Sequence, residues 1–255
     1  MNIFVFDIET VPDVVTGRRL LGLENLPDAQ VADAMLSHAK ATTGQTFLKH
    51  PWHKIVAISV VFRREDTLKI WSLGDLHADE SELIQRFYAG IEKYCPVLVS
   101  WNGTAFDLPV LHYRTLYHGL SASHYWESGD RDNSFKYNNY LNRYHTRHID
   151  LMDTLAAYQQ RAFARLDDIA VMLGLPGKMG MSGEEVGEHY LQGKLAAIRC
   201  YCEVDVLNTY LIFLRFQHMR GQLTQEAYNY EIKLTKDWLH GSQQPHFQTF
   251  LESWK

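Results

Sequence analysis

The sequence predicts an α/β protein in which a mixed β-sheet is flanked by helices on both faces. Residues 3–6 are apolar at every position, which is typical of a short strand covered on both sides. Residues 53–62 and 67–73 are rich in Val, Ile and Trp and are separated by charged residues, which predicts a hairpin. Segments in which apolar residues recur at helical spacing alternate with the later strands.

The other elements are predicted from local patterns along the chain. Residues 79–94 have apolar residues at helical spacing, with Asp79 or Ser81 able to cap the helix start and Pro96 ending it. Residues 121–147 show no period, so we expect a long irregular segment there. The remaining expected elements are a strand at 97–100, a helix at 107–120, a strand at 148–150, helices at 151–160, 166–173 and 195–215, and an amphipathic helical tail beyond Gly221.

Composition restricts the classes of function. The 255 residues include 25 Lys plus Arg and 30 Asp plus Glu, a net charge of −5, so nucleic-acid binding must be local or metal-mediated. No apolar run approaches the roughly 18 residues of a membrane span, and the segment from Met1 lacks a signal-peptide pattern. We therefore expect a cytoplasmic protein without membrane contact. The odd number of Cys, three, favours free thiols that pack as small apolar side chains.

Two acidic residues, Asp7 and Glu9, follow the first apolar run directly. Side chains two apart on a strand share a face, so these carboxylates lie close together and repel each other. Such a pair favours a cation, a shared proton or solvent. An acidic, solvated strand end is the alternative interpretation, and it needs no ligand.

Two further segments place carboxylates on predicted helices. Residues 102–109 form a strand-to-helix turn with Asp107 at the helix start, although an Asn-Gly turn with an Asp cap explains this pattern without a ligand. Tyr201 and Asp205 are one helical turn apart and share a face. An amphipathic helix alone would also account for that pair. Neither segment decides the function by itself.

The three segments occur in the order Asp-x-Glu, Asn-x-x-x-Phe-Asp and Tyr-x-x-x-Asp. In this order they resemble the three motifs of the DEDDy group of 3′-5′ exonucleases, and above all the proofreading exonuclease domain of family B DNA polymerases and its stand-alone relatives. The related DEDDh branch has a His where Cys200 stands, so Tyr201 assigns the branch.

The resemblance implies an RNase H-like fold, with an exonuclease domain at 1–215 and a C-terminal helical extension of the same domain at 216–255. It implies hydrolysis of phosphodiester bonds at the 3′ end of single-stranded nucleic acid, DNA being favoured, with release of nucleoside monophosphates. Two divalent ions, Mg²⁺ or Mn²⁺, are the implied cofactors. The implied site residues are the metal ligands Asp7, Glu9, Asp107 and Asp205, the water-orienting Tyr201, and the substrate contacts Thr10, Asn102 and Phe106.

Some alternatives stay open at this point. The aromatic and basic residues of 121–147 fit either a single-strand binding groove or a loop that packs over the sheet. An RNase H-like module that binds nucleic acid or protein without cleaving it is the competing function. We interpret four other acidic residues as structural: Asp150, Asp153, Asp167 and Asp168. We consider a zinc site at the His50 and His53 pair improbable.

Overall fold

A computed structural model describes residues 2–255, in which five strands form one mixed sheet of order β3-β2-β1-β4-β5. Met1, the first residue of the segment without a signal-peptide pattern, lies outside the described residues. The central strand β1 runs antiparallel to β2 and parallel to β4, whereas β2 and β3 are antiparallel and β4 and β5 are parallel. The strands are β1 (Ile3–Pro12), β2 (His53–Arg64), β3 (Thr67–Ser72), β4 (Val97–Ser100) and β5 (His148–Asp150).

Helices occupy both faces of this sheet, which confirms the predicted fold class. Within residues 2–255, no helix has the length and hydropathy that a membrane crossing requires. The helices are α1 (Val14–Leu21), α2 (Asp28–Thr43), α3 (Glu80–Tyr94), α4 (Asp107–Tyr117), α5 (Leu151–Leu155), α6 (Leu166–Met172), α7 (Val186–Leu191), α8 (Leu195–Met219), α9 (Gln225–Gly241) and α10 (Pro245–Ser253).

Alternation along β1 assigns its side chains to the two faces of the sheet. Phe4, Phe6 and Ile8 belong to one apolar cluster, which includes buried residues of α3 and α4. Val5 belongs to the opposite cluster, which is built largely from α8. Because alternate residues share a face, the strand directs Asp7 toward α8.

The pairing of β1 is asymmetric along its length. It pairs with β4 only from Ile3 to Val5, whereas its pairing with β2 continues to Pro12. A β-bulge interrupts the β2 pairing between Glu9 and Thr10. Beyond Val5, one side of the central strand is therefore free of a strand neighbour and can be approached by other elements. The predicted strand at 3–6 is longer than its apolar run indicated.

Several differences from the predicted elements have local causes. The helix expected at 151–160 ends at Leu155, since Ala157 and Tyr158 adopt left-handed backbone conformations. Three helices, α1, α2 and α7, were not predicted. The predicted hairpin is present as β2 and β3, and Asp79 caps α3 by accepting a 2.8 Å hydrogen bond from the Glu82 amide.

The tail beyond Gly221 is helical, as its amphipathic pattern predicted. Leu239 of α9 and the α10 residues Phe247 and Phe250 are buried in the same apolar cluster as Leu211 of α8. The C-terminal helices therefore pack against α8, and α9 also contacts the sheet, where Glu231 pairs with Arg63 of β2 at 2.8 Å.

Candidate active site

Asp7 and Glu9 lie side by side on β1 and face Cys202 of α8. Glu9 and Cys202 are buried, and Asp7 is partly exposed. Each of these three residues offers one atom that can bind a metal ion, a carboxylate oxygen or the Cys202 sulfur, and these atoms all lie within 4.8 Å of one another. The Cys202 Sγ atom is 3.5 Å from both the backbone oxygen and the Oδ2 atom of Asp7. The thiol therefore donates toward the carboxylate from the α8 side.

Asp107 reaches the same region from the N-terminus of α4. It is 3% exposed, and its Oδ1 atom accepts a 3.2 Å hydrogen bond from the backbone amide of Ile8, between Asp7 and Glu9. Ile8 lies beyond the β4 pairing, so its amide bonds to a side chain where a strand neighbour is absent. The third acidic residue thus joins the first two at the point where β4 ends.

A tight turn between β4 and α4 sets the position of Asp107. Asn102 has a φ of 64°, a left-handed conformation that Asn tolerates better than most residues. At Gly103, a Cβ atom would lie 2.3 Å from the Ser100 Oγ atom, so only glycine fits there without movement. The Asn-Gly pair is therefore required by the local backbone.

Asp150, at the end of β5, holds this turn. Its Oδ1 atom accepts a 3.0 Å bond from the Asn102 amide, and its Oδ2 atom accepts a 2.9 Å bond from the Thr104 amide. Asp153 instead pairs with Arg143 at 2.8 Å, and Asp167 accepts a 2.7 Å bond from the Lys178 amide. These contacts agree with a structural interpretation of the three acidic residues.

Tyr201 and Asp205 lie on the face of α8 that points to β1, and both are buried. The Tyr201 hydroxyl faces the Asp205 carboxylate, and its hydrogen-bonding influence lowers the pKa of Asp205, against the larger effect of burial. The Asp205 Oδ1 atom is buried and has no hydrogen-bond partner within residues 2–255. An unpartnered buried carboxylate oxygen is costly and is explained most simply by a ligand that is not part of the chain.

The four carboxylates influence one another electrostatically. Burial, followed by the negative charges of the other acidic residues, raises the pKa of Asp7 and of Glu9 well above their usual values. Burial is also the main cause that raises the pKa of Asp107 to about 7 and that of Asp205 to about 6. Without additional positive charge, this cluster disfavours full ionisation.

Lys178 supplies positive charge near the cluster. Its ammonium group lowers the pKa of Asp7, Glu9 and Asp205, and it lies 5.8 Å from the centre of the Tyr201 ring. Burial and the neighbouring carboxylates raise the pKa of Tyr201 above its ordinary value. The phenol therefore stays protonated near neutral pH and acts as a hydrogen-bond donor.

The donor set fits hard divalent cations. Mg²⁺ and Mn²⁺ prefer carboxylate oxygens and water, and the cluster offers four carboxylates, including the unpartnered oxygen of Asp205. Bound cations would also offset the mutual repulsion that raises the pKa values of Asp7 and Glu9.

The predicted substrate contacts lie next to an aromatic cluster, which we define as Phe47, His50, His53 and Phe106. The Phe106 ring centre is 5.2 Å from that of His53 and 5.5 Å from that of Phe47. Phe47 is 57% exposed, so this cluster presents a ring face to solvent. Thr10 joins it through a 2.8 Å hydrogen bond between its Oγ1 atom and the Nδ1 atom of His53.

The ring nitrogens of the two histidines bond to the protein. The His53 Nε2 atom lies 3.2 Å from the Leu48 carbonyl oxygen, and the His50 Nε2 atom lies 2.7 Å from the Ala105 carbonyl oxygen. A carbonyl oxygen only accepts, so Nε2 carries the proton in each ring. The Nδ1 atom of His53 therefore accepts from the Thr10 hydroxyl. Backbone carbonyls therefore engage the Nε2 atoms of both rings.

The irregular segment 121–147 contains two kinds of aromatic residue. Tyr125, Phe135 and Tyr140 are buried in the apolar cluster beneath α3 and α4, whereas Tyr137 is 79% exposed. Arg147 stacks 3.8 Å above the Phe135 ring and donates to the Cys95 thiol and the Ser134 hydroxyl. Packing therefore accounts for the interior part of this segment, including Arg147.

Sequence reasoning missed three residues near the candidate site. Cys202 precedes Asp205 by three positions, a spacing that places both on one helix face, but its residue type favours a small apolar side chain in the core. Lys178 lies in an irregular segment after α6, next to a glycine. Phe47 follows α2 without any motif. Of the three residues, only Cys202 had a sequence signal, which is its spacing of three positions from Asp205 on the same predicted helix.

The mixed five-stranded sheet has an RNase H-like fold, with two residues of the carboxylate cluster on its central strand. Residues 45–254 match the family described as a predicted 3′-5′ exonuclease related to the exonuclease domain of PolB. The chain belongs to this family, which confirms the resemblance drawn from its motifs. The matched range contains Asp107, Tyr201 and Asp205, whereas Asp7 and Glu9 precede it.

Two polymerases are similar to parts of this chain. It is 37% identical over 65 residues, 25% of its length and 3% of the other protein, to the catalytic polypeptide of DNA polymerase epsilon from Dictyostelium discoideum. The structure of the family B DNA polymerase from Pyrobaculum calidifontis matches with a TM-score of 0.50 and 15% identity, over 82% of this chain and 24% of that one. The second match supports the fold. The chain therefore spans a small part of either polymerase.

Proposed function

We propose that this protein is a metal-dependent 3′-5′ exonuclease that shortens single-stranded nucleic acid from its 3′ end and releases nucleoside monophosphates. DNA is the favoured substrate because the motifs are most similar to those of DNA polymerase proofreading domains. One observation carries the proposal: carboxylates from β1, α4 and α8 are brought into one mutually interacting cluster, in which a buried oxygen of Asp205 lacks a partner in the described chain. Membership in the exonuclease family supports it.

Four residues would hold two divalent ions, Mg²⁺ or Mn²⁺, in this proposal. When bound, the ions would lower the pKa of a water molecule and neutralise charge on the phosphoryl and leaving oxygens. The ligands come from three different elements, so the cluster is assembled only in the folded chain. The proposed ligands are Asp7, Glu9, Asp107 and Asp205.

Other side chains position the reactants. The protonated phenol of Tyr201 donates a hydrogen bond, which suits it to orient a water molecule rather than to remove a proton from it. Lys178 adds positive charge near the carboxylates, where the phosphate group of the substrate would be bound. Phe106 and the exposed ring of Phe47 offer a surface on which the terminal base or sugar can pack. Thr10 contributes through its backbone, since His53 engages its hydroxyl.

The test uses single-stranded DNA and RNA oligonucleotides, each labelled at the 5′ or the 3′ end. With Mg²⁺ or Mn²⁺, wild-type protein should produce a descending ladder from 5′-labelled DNA and release the 3′ label as a mononucleotide. The chelator EDTA should stop the reaction. RNA serves as the competing substrate, and faster loss of RNA would overturn the DNA preference.

Two variants and a matched control assign the activity to the cluster. Asp7→Ala should lower the rate by at least about 100-fold, because a metal ligand is lost. Tyr201→Phe should be milder, about 10-fold, since the ligands remain and only one hydrogen bond is removed. Asp33→Ala, which removes an exposed carboxylate of α2, should match wild type. Equal degradation by wild type and Asp7→Ala would overturn the proposal, and binding without hydrolysis would support a non-catalytic module instead.

A further inference from the structure

The Cys202 thiol lies within the carboxylate cluster but has no part in the proposed hydrolysis. It is completely buried, and its Sγ atom lies 3.5 Å from Asp7 Oδ2. Ligand-type atoms of Asp7, Glu9 and Cys202 are within 4.8 Å of one another. Sulfur is a poor ligand for Mg²⁺ and Mn²⁺ but a good one for zinc and cadmium. The cluster therefore contains a donor suited to a different group of metals.

The separation of the sulfur and oxygen atoms fits a tetrahedral site. With a zinc–sulfur distance of about 2.3 Å and a zinc–oxygen distance of about 2.0 Å, tetrahedral angles place sulfur and oxygen about 3.5 Å apart. The Sγ atom of Cys202 and the Oδ2 atom of Asp7 are 3.5 Å apart. One ion could therefore contact both atoms with little movement of α8 against β1.

A second, independent observation points to a ligand at this place. The buried Oδ1 atom of Asp205 has no hydrogen-bond partner among residues 2–255, and Asp205 as a whole is 7% exposed. Asp205 is three positions after Cys202 on α8, on the helix face that points to β1, and its negative charge raises the pKa of both Asp7 and Glu9. Asp7, Glu9 and Cys202 supply three protein ligands, and zinc sites of this kind complete four-coordination with a water molecule.

We propose that Asp7, Glu9 and Cys202 form a binding site for one thiophilic divalent ion, such as Zn²⁺ or Cd²⁺, and that this ion inhibits the exonuclease. On binding, the S–H bond of Cys202 breaks, a sulfur–metal bond forms, and the proton passes to solvent. No electron transfer is involved. The inhibition rests on the proposed function, because the thiophilic ion occupies carboxylates that the hydrolysis needs. The binding of the ion does not rest on the proposed function.

Cadmium gives a readout that does not depend on activity. Titration of the full chain with CdCl₂ should produce the ultraviolet charge-transfer band of a cadmium–thiolate bond, saturating at one equivalent. The band should be lost in Cys202→Ser. It should be retained in Cys200→Ser, a matched control that removes a thiol two positions away on the same helix. A band that survives Cys202→Ser, or that disappears in Cys200→Ser, overturns the proposal.

A further variant keeps the proposal testable if Cys202→Ser fails to fold. Asp7→Asn retains the thiol and should need at least about 10-fold more cadmium for half-saturation, since one charged ligand is lost. An unchanged half-saturation point in Asp7→Asn overturns the site. Circular dichroism of each variant identifies those that are folded.

The inhibition is measured on hydrolysis supported by Mg²⁺, with each protein normalised to its own rate without zinc. ZnCl₂ should inhibit wild type and Cys200→Ser equally, and Cys202→Ser should need at least about 10-fold more zinc for half-inhibition. Equal inhibition of all three proteins overturns the inhibitory role. If wild type shows no Mg²⁺-dependent hydrolysis, the proposed function fails while the cadmium titration still decides the binding site.

Discussion

The Asp107 carboxylate accepts a 3.2 Å hydrogen bond from the backbone amide of Ile8, which lies between Asp7 and Glu9 on the central strand. This bond connects the start of α4 to β1 where the β4 pairing has ended. The distance between the acidic residues of two separate motifs is thus fixed by a backbone contact. The position of Asp107 also depends on the backbone turn at residues 101–106, which Asp150 holds by two hydrogen bonds.

We predict that Asp150→Ala lowers both stability and activity. Asp150 is buried and accepts bonds from the Asn102, Thr104 and Asp153 amides, so its loss leaves three backbone donors without their partner. We expect the free energy of unfolding to fall by about 1–3 kcal/mol, measured by urea denaturation. Hydrolysis should fall several-fold through kcat, because Asp107 is displaced while the substrate-binding surface is retained.

Asp153→Ala is the comparison variant for Asp150. Its ion pair with Arg143 is partly exposed, so its removal should cost less than about 1 kcal/mol and leave kcat near wild type. A kcat for Asp150→Ala equal to that of Asp153→Ala would show that the turn does not position Asp107.

We predict that the carboxylate cluster costs stability when no metal is bound. The Asp7 charge is desolvated and repelled by Asp107 and Asp205, so Asp7→Asn removes an unfavourable interaction. In EDTA at pH 8, the variant should be more stable than wild type by about 1 kcal/mol. Added Mn²⁺ should raise the wild-type Tm by about 5 °C and should shift the variant less than half as far.

Calorimetry with and without Mn²⁺ measures this effect. Asp33→Asn removes an exposed carboxylate and should behave as wild type in both conditions. A wild-type Tm that does not respond to Mn²⁺ would argue against metal binding by the cluster.

The elements that the sequence predicted best are bounded by strong local signals. Strands β4 and β5 begin and end where expected, β4 because its short apolar run lies between Pro96 and the Asn102-Gly103 turn. Helix α2 was missed because its buried residues are few and interrupted by alanine. Its packing depends on Met35, which fills the space beside Gly17 of α1, and on Leu48 from a loop. Such contacts between distant segments leave no periodic pattern.

The residues of the candidate site also fall into two groups, those that the sequence predicts and those that only the folded chain shows. Its carboxylates and Tyr201 were identified because each motif has a fixed spacing on one strand or helix. Lys178 and Phe47 come from irregular segments, so no spacing connects them to the site. The contact of Cys202 with Asp7 requires α8 to lie across β1, which only the folded chain shows.

We predict that His53 makes the protein less stable in acid. Burial lowers the pKa of His53 to about 4, whereas the unfolded chain binds the proton near pH 6.5. Unfolding therefore takes up a proton between these values, so the stability contributed by neutral His53 is present above pH 6.5 and is lost as pH falls toward 4. The loss should reach about 2 kcal/mol by pH 4.5.

Urea denaturation of wild type and His53→Gln at pH 7 and pH 4.5 tests this assignment. The variant contains the same buried carboxylates, so their opposing contributions cancel in the comparison. Wild type should lose about 2 kcal/mol more than the variant between the two pH values. An equal loss in both proteins would show that His53 already binds a proton in the folded state.

We predict that Phe47 contributes to substrate binding and little to stability. Its ring is 57% exposed and contacts Phe106 at the edge of the candidate site. Stacking of one base on an aromatic ring contributes about 1–3 kcal/mol, so Phe47→Ala should raise KM for single-stranded DNA by about 10-fold with kcat nearly unchanged. Because the ring is exposed, Tm should stay near the wild-type value.

Two further variants test this role of Phe47. Phe47→Trp keeps a stacking surface and should restore KM. Leu116→Ala, which removes an exposed apolar side chain of α4, is the surface control. A KM for Phe47→Ala equal to that of Leu116→Ala would remove the aromatic cluster from the substrate path.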